Sequence, residues 1–251
     1  MRRFFQTIAL LLALLLPVQI WAATFVNGNG ADDATNDTTM AVTVTGVSAG
    51  NLVHVIVKYE GTGTTATVSD GTTSLTQDAT GVQSHTNGDL NAVNFYLLSS
   101  VASGSVTYTV TLGASRPFKT MDAAVFSYSG TASRQTAAYG SLSATDNGTD
   151  PVLSGTISPT GSDLIVVGSY FAYASATSTT HLINAVAADA TFGGPGGSIG
   201  WYRLLGTGFT NGAASIDFNS TNDGLVSITA YSITAGGGGP DVTPFYRRRA
   251  M

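Results

Sequence analysis

The pentapeptide Gly46-Val47-Ser48-Ala49-Gly50 has the G-x-S-x-G spacing of a nucleophile elbow, a turn that lifts a reactive Ser between a strand and a helix. The segment AVTVT before it suits a strand. The segment LVHVIVKYE after it also reads as a strand, so the helix N-terminus that an elbow requires is missing. Ser48 is therefore expected in a strand–turn–strand corner and not as a nucleophile. Paired-carboxylate chemistry needs two acids at a set separation. Glu60 is the only Glu in the chain and has no obvious partner acid. It shares a face with Lys58, which predicts a surface ion pair. Lys58 could also supply the amine of an isopeptide crosslink, for which the sequence identifies no partner.

Imidazole and carboxylate together could bind a metal. His85 and Asp89, with Asp78 upstream, are candidates, although the loop has no fixed ligand spacing and reads as polar turns. His54 sits inside an apolar strand and is expected to pack, and His181 has no acidic neighbour closer than Asp189. Calcium requires several oxygens on a sharp turn. Asp146, Asn147 and Asp150 offer them in ATDNGTDP, and Asp32, Asp33 and Asp37 offer them in NGNGADDATND. Neither has the acidic twelfth position of an EF-hand loop, and both also read as hairpin or Asx turns. The expectation is no cofactor beyond a structural calcium, with Asp146, Asn147 and Asp150 as its ligands.

Sugar recognition uses aromatic rings with polar neighbours. The stretches SYFAYAS and GWYRLL are the most aromatic, and they nominate Tyr170, Tyr173, Trp201 and Arg203 as a ligand-binding set. Strand alternation puts Trp201 and Arg203 on one face, with Tyr202 and Leu204 on the other. Phe95 and Leu97 take the places of Trp201 and Arg203 in the first half, so Trp201 also reads as a core residue.

The elements that must position these residues are strands. Hydrophobic residues make up 43% of the 251 residues and charged ones 10%, with 30 Gly and abundant Thr, Ser, Val and Asn, a composition that disfavours helices. In SVTYTVTL (105–112), Val106, Tyr108, Val110 and Leu112 alternate with Thr107, Thr109 and Thr111, as in a half-buried strand. LVHVIVKYE is apolar on both faces and reads as a central strand. The net charge of −5 leaves no basic surface for nucleic acid. Residues 1–22 read as a signal peptide, with Arg2 and Arg3 ahead of an apolar run and Ala22 before the cleavage point. A location outside the cell follows, secreted or at the surface, in the extracellular space or the periplasm. The chain has no Cys, and no later apolar run is long enough to cross a bilayer.

Sliding the sequence by 112 positions lays Leu52 on Leu164 and brings two halves into register, about 23–130 and 131–235. Each half carries six or seven short runs bounded by turn residues, as an all-β sandwich needs. We expect an antiparallel β-sandwich in which two pseudo-repeated halves share one jelly-roll-like core; two tandem Ig-like sandwiches are the alternative. Residues 236–251 read as a Gly-rich linker with a loose basic tail at Arg247–Arg249.

The order AGNLVHVIVKYEGTGTTATVSDGTTSL, NFYLLSSVASGSVTYTVTL and AAVFSYSG, followed by GSDLIVVGSY and WYRLLGTG, resembles secreted β-sandwich proteins of environmental bacteria. The resemblance covers about residues 38–235. It implies an exterior location and a sandwich, and it supplies neither a catalytic motif nor a function. The functional expectation is a non-catalytic exported binding or adhesion module for polysaccharide or a cell-surface glycan. A self-associating subunit of a surface layer, matrix or appendage is the alternative, and a secreted hydrolase the least favoured reading.

Overall fold

The computed structural model describes residues 23–85, 89–141, 151–172, 178–193, 198–218 and 224–234. Residues 1–22, read above as a signal peptide, Tyr173, the calcium candidates Asp146, Asn147 and Asp150, and residues 235–251 lie outside them. The described residues contain strands and no helix. The first half comprises β1 (Ala23–Asp33), β2 (Asp37–Val47), β3 (Leu52–Glu60), β4 (Ala66–Ser69), β5 (Thr76–Gln77), β6 (Gln83–Ser84), β7 (Leu90–Leu97), β8 (Gly104–Arg116) and β9 (Lys119–Tyr128). The second comprises β10 (Thr131–Ser141), β11 (Val152–Leu153), β12 (Leu164–Ala172), β13 (Ser178–Ile183), β14 (Val186–Ala187), β15 (Ala190–Phe192), β16 (Ser198–Leu205), β17 (Ala214–Phe218) and β18 (Gly224–Thr234).

Strand alternation sorts these elements into four antiparallel sheets. In the first half, a large sheet of order β1-β9-β3-β7-β5, with β6 also on β7, faces a small sheet β2-β8-β4. In the second, β10-β18-β12-β16-β15 faces β11-β17-β13-β14. Val53, Val55, Val57 and Tyr59 of β3 meet Val42 and Val44 of β2 and Tyr108 and Val110 of β8 in one core. Val166, Tyr170, Trp201, Ile216 and Ile228 build the corresponding core of the second half.

The large sheets then pack on each other. Leu52, Ala124 and Phe126 from one meet Ile165, Val167, Tyr202 and Tyr231 from the other. At the centre of this layer Phe25 stacks on Tyr202 at 4.6 Å, and Phe126 stands edge-on to both at 5.6 and 5.4 Å. Such pairs contribute about 0.5–1.5 kcal/mol each beyond the apolar area they bury. The expected single shared core is thus corrected. Each half encloses its own core, and a third packed layer joins them. β3 is buried on both faces because it lies in an inner sheet with a layer on either side, which accounts for its unbroken apolar character.

The two large sheets have corresponding strand orders and corresponding bulges, between Phe25 and Asn27 on β1 and between Arg134 and Thr136 on β10. Their registers show that the offset of 112 is one residue short. Leu52 pairs with Phe126 and Ile165 pairs with Tyr231, so Leu52 corresponds to Ile165. A slip of one residue turns every side chain to the opposite face. Leu164 belongs to the core of its own half, whereas Leu52 and Ile165 both face across the middle layer.

Candidate functional site

The middle layer is mostly apolar, but several polar groups are sealed within it. Asp32 on β1, Thr120 on β9 and Lys58 on β3 form one cross-strand row, because Thr120 pairs with both Asp32 and Lys58. Asp122 lies two residues along β9, on the same face and diagonal to both. The ammonium of Lys58 donates to Asp122 Oδ2 at 2.7 Å, to the Tyr170 carbonyl of β12 at 2.8 Å and to Ser198 Oγ of β16 at 2.6 Å. Ser198 Oγ in turn donates to Asp122 Oδ2. Lys58 and Asp122 both have no exposed surface. The predicted Lys58–Glu60 surface pair is therefore wrong: the face it was assigned to water is covered by the second half, and Asp122 is the partner.

Burial pushes the Lys58 ammonium below its ordinary pKa, against the opposing pull of Asp122. Asp32 is held up at about 6, first by burial and then by the charge of Asp122. Its Oδ1 is buried without a hydrogen-bond partner.

Further polar contacts cross the same layer, among them Asn94 Nδ2 donating to Thr229 Oγ1 at 3.0 Å. His54 Nδ1 and the Tyr231 hydroxyl are 2.6 Å apart, and burial holds the imidazole near a pKa of about 3, hence neutral. Arg134 of β10 clasps Asp78 with Nε on Oδ2 at 2.9 Å and Nη2 on Oδ1 at 2.5 Å. Burial alone would raise Asp78, but the Thr80 N–H and the guanidinium together hold it below the usual carboxylate range.

The acidic segment that was a calcium candidate holds a protein cation. Lys119, fully buried, lies 3.2 Å from Asp33 and 2.8 Å from Asp37, and donates to the Thr35 carbonyl at 2.6 Å. The NGNG part of that segment is strand, where a turn was expected. Asn27 and Asn29 of β1 donate to the Thr45 and Thr43 carbonyls of β2 and tie the rims of the two sheets together. Asp78, grouped by sequence with His85 and Asp89, goes instead to Arg134. His85 Nδ1 and Asp89 Oδ1 do meet, at 3.4 Å. Among the described residues no group of three or more His, Asp or Glu side chains is placed to hold a metal ion.

The aromatic set is not a surface platform where it is described. Trp201 and Tyr170 are buried at 0% and 1% exposure in the core of the second half. Trp201 pairs with Gly168, and a Cβ on Gly168 would stand 2.5 Å from the indole Cε2. The ring lies flat over the bare backbone, donates Nε1–H to the Leu182 carbonyl and packs 5.3 Å from His181. Arg203 donates to the Ile183 carbonyl on the same inner face. Trp201 thus occupies the position that Phe95 fills in the first half. Ser48 lies in a turn where Gly46 and Gly50 have φ of 77° and 90° and Asn51 Oδ1 accepts the Ser48 N–H, between β2 and β3 with no helix following.

What the first half presents outward is a hydroxyl field. On the outer face of β2-β8-β4, Thr39, Thr111 and Thr67 form one cross-strand row. Ala41, Thr109 and Ser69 form the next, and Thr43 and Thr107 a third, with their hydroxyls 2.8 Å apart. Thr39, Thr43, Thr67, Thr107 and Thr111 are exposed. The small sheet of the second half has Leu153, Thr180 and Asp217 on its strands and, among the described residues, no such rows.

No protein-family model matches the chain, and no curated protein is similar to it. Among solved structures, one titled "A Structural Element that Modulates Proton-Coupled Electron Transfer in Oxalate Decarboxylase" aligns over 88% of this chain and 82% of that one, with 7% identity and a TM-score of 0.18. A likeness that slight carries no argument about fold or chemistry.

Proposed function

We propose that this chain is an exported, non-catalytic binding and adhesion module that engages polysaccharide or a cell-surface glycan through the outer face of β2-β8-β4. The supporting observation is the threonine field. Its rows supply hydroxyls as donors and acceptors, and each methyl supplies a small apolar contact, the two kinds of surface a sugar chain presents. Because Trp201 and Tyr170 are buried, this reading rests on the threonine rows and not on the aromatic stretches.

The test is retention of the purified protein on insoluble cellulose and chitin and on a glycan array, with calcium and with chelator. A Thr107→Lys/Thr109→Lys variant with an unchanged melting curve should lose retention. Failure of the wild-type protein to bind any of these surfaces would sink the reading. A second reading, a subunit of a surface layer, matrix or appendage, is favoured by β10, an eleven-residue strand at the edge of its sheet. Such an edge offers backbone donors and acceptors to another copy. A strictly monomeric protein at high concentration would remove it.

A further inference from the structure

Lys58 and Asp122 face each other in a setting unlike that of a stabilising ion pair. Both are without exposed surface, they lie diagonally on adjacent strands of one sheet, and the second half closes over them. An ion pair in such a place gains little, because desolvating two charges offsets most of their attraction. Beside them is a second carboxyl. Asp32 lies in the row of Lys58 and diagonal to Asp122, and its Oδ1 is buried and unpartnered.

We propose that Lys58 and Asp122 condense into an intramolecular isopeptide bond, Nζ to Cγ, with Asp32 carrying protons between them. The reaction balances without any other reagent. Proton transfer from the ammonium to the carboxyl side leaves a neutral amine, and the Nζ lone pair attacks Cγ. A C–N bond forms, one Cγ–O bond breaks, and that oxygen leaves as water with two of the ammonium's protons. Two opposite charges disappear, which the dry interior favours. Asp32 in its acid form gives a proton to the departing oxygen and takes one back from nitrogen. Its pKa near 6 lets it do both near neutrality. The hydroxyl of Ser198, donated to Asp122 Oδ2, holds the carboxyl in place for attack.

The decisive experiment is the intact mass of the purified, denatured full chain, read against its sequenced N-terminus. The bond predicts a mass lower than the sequence mass by one water, about 18 Da. It also predicts a branched tryptic peptide joining the β3 and β9 segments, with no cleavage after Lys58. Lys58→Met and Asp122→Ala should each restore the full mass. Asp32→Asn should leave a folded protein in which the crosslink is absent or forms at least tenfold more slowly. If variants at the pair fail to fold, the wild-type mass and peptide map alone decide. A full sequence mass in folded wild-type protein overturns the proposal. So does a water loss mapping to Asp70-Gly71 as a cyclic imide. An undiminished crosslink in Asp32→Asn overturns the role of Asp32.

Discussion

Arg134 and Asp78 join the two halves through a two-pronged guanidinium–carboxylate contact in which the Asp78 side chain has no exposed surface. Arg134→Ala would leave that carboxylate buried beside only the Thr80 donors. Removing one partner of a buried pair costs about 3–5 kcal/mol. Chemical denaturation should show a loss of that size, and Arg134→Ala/Asp78→Ala should recover a good part of it. Equal losses in the single and double variants would mean that the pair is not coupled.

The contact between Trp201 and Gly168 predicts damage from both sides. Gly168→Ala forces a methyl against the indole, and overpacking of this kind costs about 1–3 kcal/mol. Trp201→Ala opens a cavity in the second core at about 3–5 kcal/mol. Both should appear as lowered thermal midpoints. Any glycan retention by the folded fraction should be unchanged, because neither residue lies on the threonine face.

His54 makes stability depend on pH. Its folded pKa, about 3, lies below the ordinary imidazole value of 6.5, so the unfolded chain takes up a proton that the folded chain refuses. The contribution is complete above about 6.5 and is lost as pH falls from there toward 3. Within that window the loss is about 1.4 kcal/mol for each pH unit. Urea midpoints at pH 7 and pH 5 should therefore separate more in the wild type than in His54→Gln. Parallel pH profiles in the two proteins would contradict a neutral buried imidazole.

The threonine field predicts a separation of binding from stability. Thr43→Val and Thr107→Val keep shape and strand propensity while deleting the hydroxyl pair. Exposed changes of this kind usually alter stability by no more than about 0.5 kcal/mol. Polysaccharide retention should fall while the melting temperature holds.

The strand content was readable because period-two alternation survives in segments such as 105–112, where one face meets water. The both-faces-buried character of β3 also showed, and it pointed correctly to a central strand. What covers its second face did not show, since alternation says which residues are inside and not which layer they meet. Alternation by itself therefore leaves Lys58 facing water. A signal was present: Lys58 and Asp122 are opposite charges, each flanked by apolar residues in a strand rich in them, and such residues need partners. Matching Leu52 to Leu164 maximised similarity of residue type but missed the face parity that pairing imposes. Trp201 was ambiguous for a related reason. Its role depends on Gly168 one strand away, and the sequence alone does not disclose that register.

The covering of one large sheet by the other also has a consequence for synthesis. Residues 23–128 leave the ribosome first, and Leu52, Ala124 and Phe126 lack the side chains they pack on until β12, β16 and β18 exist. For that interval the nascent chain displays a broad sticky wall with a solvated lysine and aspartate in it. The two charges then act as a timed solubiliser, hydrated while the chain is incomplete and withdrawn from water only when the last strands arrive.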